Sequence, residues 1–191
     1  MSQNTATGAQ PRTVQTADRG KLDVRALVLL AILLAAGFIL NFTVGKAISG
    51  ISGGMISPEF IISAFCLTIL VVRPNIGQAL VIGLISAAVI QITTTSPFVD
   101  FAAEGIAAML MALIVRAGRN GKAKRIVPAV GTFVTTVVSG TIFMLIKMAT
   151  MGFATGLAAD MMPVVVLTAV FNAVLVTALY VPVCKAAHVE A

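Results

Sequence analysis

The sequence predicts an all-α integral membrane protein of six transmembrane helices with both termini on the cytoplasmic side. Three observations carry this. The 191 residues are 59% hydrophobic and only 10% charged, with a mean hydropathy of +1.04, whereas soluble domains carry about 25% charged residues. One core of this length could not bury so much apolar side chain, so part of the solvent must be lipid. Apolar runs recur near 25–45, 57–72, 76–92, 98–117, 126–150 and 161–184, with basic residues in alternate gaps between them. A polar tail, 1–24, expected to be disordered, precedes this domain of 25–184, and a short tail, 185–191, follows it. The first long run has no small-residue cleavage site before it and reads as a retained helix.

Taken in order, the first run starts beside Arg12, Arg19, Lys21 and Arg25. After it, Gly45, Gly50, Gly53 and Gly54 predict a flexible external loop that suits either a lid or a plain surface connection. The second run is short. Glu59 to Val72 rises about 21 Å, against a hydrocarbon core of about 30 Å, and Arg73-Pro74-Asn75 then turns the chain back. This helix must stop below the outer surface or enter through irregular backbone, which is tolerated there only when buried in protein or lining a cavity. Ser57-Pro58-Glu59, Ser96-Pro97 and Asp160 with Pro163 read as the starts of the second, fourth and sixth helices. Arg73, then Arg116, Arg119, Lys122, Lys124 and Arg125, then Lys185 fill one set of gaps. The other set holds Lys46, apart from Lys147 inside the end of the fifth helix. Basic gaps face the cytoplasm.

With that orientation the polar residues gather in the outer half. Asn41 ends the first helix and Glu59 opens the second. Gln91, Thr94, Thr95 and Ser96 close the third, Asp100 and Glu104 lie in the first turns of the fourth, and Lys147 is near the outer end of the fifth. Asp100 and Glu104, four residues apart, share a helix face. Carboxylates facing lipid cost about 2.5–3.5 kcal/mol each at mid-helix, so an aqueous cavity is the better home. Glu59, Asp100 and Asp160 are also read simply as interfacial acids at helix starts. Asn172, midway along the sixth helix, is either a site residue or a helix–helix hydrogen bond. Glu59, Glu104 and Lys147 are expected to recognise charge, with Asn41, Gln91, Thr94 and Thr95 as neutral partners. Opposed acid and base suit a zwitterion such as an amino acid, or a vitamin of mixed charge.

The chain has no HExxH motif, no paired acid-rich motif and no phosphate-binding loop, so neither catalysis nor ATP hydrolysis is expected of it. Cys66 and Cys184 have no CxxC spacing and read as small apolar residues rather than a zinc or redox pair. No metal or cofactor is implied. The net charge of +6 lies at helix ends without interleaved aromatics, which argues against nucleic acid and leaves lipid as the surrounding partner.

The short second helix, the outer polar residues and the segment Ala31-Ile-Leu-Leu-Ala35 together resemble the substrate-capturing S-components of energy-coupling factor (ECF) transporters. The order Pro58-Glu59, Ile69-Leu70, Pro74, Leu80 to Gly83, then Thr93 to Pro97, is similar to their tryptophan-transporter-like branch. The resemblance implies a multi-pass protein of the bacterial cytoplasmic membrane. It would capture a small water-soluble nutrient, such as a vitamin or aromatic amino acid, near Glu59, Gln91 and Thr94–Ser96. Ala31 and Ala35 would dock a transmembrane coupling subunit served by two cytosolic ATPases. The alternatives are a stand-alone transporter in which Glu104 or Asp100 carries a coupling proton, and a membrane scaffold whose polar groups join helices.

Overall fold

The computed structural model describes residues 22–92, 94, 96, 98–118, 123–150 and 155–189. The tail up to residue 21, Thr95, and Arg119 and Lys122 of the basic gap lie outside the described residues. Helices α1 (Val24–Leu40), α2 (Lys46–Ile51), α3 (Phe60–Val72), α4 (Ile76–Ile90), α5 (Val99–Ala117), α6 (Ala123–Thr150) and α7 (Thr155–Ala186) form the fold, with a π-helical turn, Asn41–Gly45, joining α1 to α2.

Among the described residues, three helices are long and apolar enough to cross a membrane: Val24–Ile51, Arg125–Thr150 and Ala158–Ala186. Helices α3 and α4 are apolar but shorter, and α5 carries Asp100, Glu104 and Arg116. The outside of the bundle is apolar: Val28, Ile32, Ile39, Ile106, Leu113, Val130, Leu145, Val170 and Val174 are all exposed. A lipid environment explains such a surface.

Helix α3 is the centre. Every residue from Phe60 to Val71 is buried, as expected of a helix apolar on all sides. It packs against α1, α4, α5, α6 and α7. Close approach is written into glycines. A Cβ on Gly37 would stand 3.0 Å from the Phe60 carbonyl oxygen, and one on Gly83 would stand 2.5 Å from the Glu104 carbonyl oxygen. The most extensive helix pairings are α6 with α7, α4 with α5, and α5 with α6. Cys66 and Cys184 are both buried, and neither forms a disulfide among the described residues.

Three helix starts differ from the sequence reading. Helix α3 begins after Glu59, whose side chain makes no cap bond; Asn41 Oδ1 instead accepts from the Phe60 amide at 2.8 Å. Helix α5 begins after Phe98, in the left-handed region at φ 69°, and Gln91 Oε1 accepts from its amide at 3.1 Å. Helix α7 begins at Thr155, so Asp160 and Pro163 lie within it; proline in a helix gives up one hydrogen bond and bends the axis without ending it. Gly45 and Gly50 are helical, leaving Gly53 and Gly54, at φ 62° and 84°, to make the turn. The expected flexible loop is therefore short.

Candidate functional site

A cavity of about 430 Å³ lies where α1, α4 and α6 end and where α3, α5 and α7 begin. Arg73 and the last turns of α5 and α7, with Arg116 and Lys185, mark the opposite end. The polar wall is Glu59, Asp100 and Glu104 with Asn41, Thr94 and hydroxyls from α6 and α7; Ile62, Ile90, Phe143 and Val165 are among the apolar walls.

The backbone entering α3 is irregular from Ile56 to Glu59. Such backbone inside a bundle needs partners for its amides and carbonyls. Thr168 of α7 supplies them: its Oγ1 accepts from the Ser57 amide at 3.3 Å and donates to the Ser57 carbonyl at 3.0 Å. The π turn places Asn41 opposite. Its carboxamide donates to Glu59 Oε2 at 3.4 Å while capping Phe60. Single π turns are frequent at functional sites, because the extra residue re-aims one side chain.

Asp100 is held from the α4–α5 connection. Gln91 Nε2 donates to its Oδ2 at 3.2 Å, Thr94 hydrogen-bonds to it as well, and Thr94 Oγ1 accepts from the Ser96 amide at 3.2 Å. Glu104, one turn deeper, is 4% exposed. Ser139 Oγ donates to its Oε1 at 3.0 Å, and its Oε2 has no hydrogen-bond partner among the described residues.

Of the residues expected from sequence, Asn41, Glu59, Thr94, Asp100 and Glu104 line the cavity together. Gln91 and buried Ser96 brace the wall from behind. Asn172 is fully buried and donates from Nδ2 to Thr136 Oγ1 at 3.4 Å, a contact between α7 and α6 rather than part of the wall. Lys147 is placed differently from these five. It lies one helical turn beyond Phe143, with its ammonium 5.5 Å from that ring's centroid, and is not among the lining residues. Its positive charge is still near enough to act on the Asp100 carboxylate. Ala31 and Ala35 lie on the exposed side of α1, opposite buried Leu30, Leu34 and Gly37.

Sequence reasoning missed Ser57, Thr136, Ser139 and Thr168. A signal existed: Thr132, Thr135, Thr136 and Ser139 are spaced i, i+3, i+4, i+7, and all four are buried. In a helix whose outside is apolar, a polar stripe at that period marks the inward face. Among the described residues no three His, Cys, Asp or Glu side chains are grouped to hold a metal ion. Compared with known protein families, known proteins and solved structures, the chain has no match.

Proposed function

We propose that this chain is the substrate-capturing membrane subunit of an ATP-driven, energy-coupling-factor-type importer of the bacterial cytoplasmic membrane. The observation that carries the reading is the roughly 430 Å³ polar cavity at one end of an apolar bundle. Small-molecule sites have volumes of about 300–1,000 Å³ and mix apolar walls with a few placed polar groups. The opposite end carries Arg73, Arg116 and Lys185, so the positive-inside rule turns the cavity outward. The chain then crosses the bilayer six times, α3 completing its short pass through the irregular backbone before Phe60.

Capture alone does not move a solute against its gradient, and the sequence holds no phosphate-binding loop. Energy therefore comes from a transmembrane coupling subunit and two cytosolic ATPases, docked against the exposed Ala31–Ala35 side of α1, where small residues admit a close neighbour. The test is uptake by intact cells. Removing the coupling ATPases abolishes uptake, and a protonophore applied with ATP maintained leaves it standing. The reverse result favours a stand-alone proton-coupled transporter, a second reading supported by the unpartnered Oε2 of Glu104.

A further inference from the structure

The three acidic side chains of the cavity come from two places. Glu59 stands on the irregular entry to α3; Asp100 and Glu104 stand on successive turns of α5. Their hydrogen-bond donors, Asn41, Gln91, Thr94 and Ser139, are all neutral. Lysine, arginine and histidine are absent from the described lining, and Lys147 stands beyond it over Phe143. The described lining is thus acidic without a basic member, and Lys147 acts on Asp100 only from outside it.

Carboxylates sharing a low-dielectric space repel one another, and a buried carboxylate oxygen without a donor is costly. Glu104 Oε2 is such an oxygen: its residue lines the cavity and is 4% exposed, yet none of the described residues donates to it. A cation bearing N–H donors would relieve both costs. The cavity is far larger than a bare ion needs, and the acids are not grouped at metal-ligand spacing. Ile62, Ile90, Val164 and Val165 leave apolar wall for the rest of a molecule.

We propose that the cavity takes a small organic cation, a protonated amine with an apolar body, whose N–H groups meet Glu104 Oε2 and the neighbouring Asp100. The proposal rests on the substrate-capture reading and adds the sign of the substrate's charge.

The test uses the full chain in lipid nanodiscs and yeast extract separated at pH 7 into three pools: retained by a cation exchanger, retained by an anion exchanger, and retained by neither. Protein is incubated with each pool, washed and denatured, and the released compounds are identified by mass. The expected compound comes from the cation-exchanger pool. It binds Glu104→Gln at least about tenfold more weakly, and binds Lys147→Gln no more weakly than the unmodified chain. Glu59→Gln carries the same test at the other side of the cavity if Glu104→Gln does not fold. A compound from either other pool, undiminished binding to the folded Glu→Gln variants, or loss on Lys147→Gln overturns the cationic assignment and leaves capture standing. A chain folded by circular dichroism that releases nothing from any pool overturns the capture reading and the cationic assignment together.

Discussion

At the scale of single residues, the site depends on side chains that repair irregular backbone. Thr168 serves both polar groups of the Ser57 peptide, so Thr168→Val, nearly the same shape, removes both bonds and leaves a donor and an acceptor unpaired. The expected cost is about 1–3 kcal/mol, read as a lower melting temperature in detergent, with faster amide exchange at Ser57. An unchanged exchange rate there would contradict the role given to Thr168. Asn41 does comparable work on Phe60, and Asn41→Ala costs about 1 kcal/mol, the ordinary worth of a helix cap. The acids were legible in the sequence because charge is conspicuous in an apolar chain. The hydroxyls of α6 were marked only by their helical spacing, a weaker sign, since threonine in a helix can also satisfy itself on the carbonyl four residues back, as Thr141 does on Val137.

At the scale of elements, apolar runs gave the helices to within a few residues, while their starts were misread. Serine and proline at 57–58 resemble a local cap, yet the Phe60 amide is capped by Asn41 of the π turn after α1, nineteen residues away. Local chemistry cannot reveal a partner supplied by another helix. The glycine loop was misread for a related reason: Gly45 and Gly50 continue a helix through a π turn that composition does not encode. Helix contact depends on small residues, because lipid supplies no hydrophobic drive for apolar helices to associate. Gly83→Ala would place its methyl 2.8 Å from the Ala108 Cβ and 2.5 Å from the Glu104 carbonyl oxygen. Helices α4 and α5 must then separate, at an expected cost of about 1–3 kcal/mol by thermal unfolding. Because α5 carries Asp100 and Glu104, ligand retention falls with it. A variant as stable as the parent would contradict the close α4–α5 packing.

At the scale of the whole molecule, composition pointed to lipid as solvent, and the longest apolar helices and the exposed aliphatic side chains are compatible with it. The gathering of Glu59, Asp100 and Glu104 around one space was foreshadowed by the outward bias of the polar residues, but the placement of Lys147 beyond that space depends on the packing of α6. The orientation has its own test. Met55→Cys and His188→Cys put exposed thiols at opposite ends of the bundle, against native cysteines that are both buried. A membrane-impermeant maleimide added to intact cells labels position 55 and spares position 188 until the cells are opened; the converse pattern would invert the topology. The central claim, capture of a small molecule for an external motor, is tested most directly by native mass spectrometry of the protein isolated gently from its own host. The account predicts a small-molecule adduct on the chain, together with a coupling subunit and two ATPases. A folded chain that repeatedly arrives bare of both ligand and partners would contradict it.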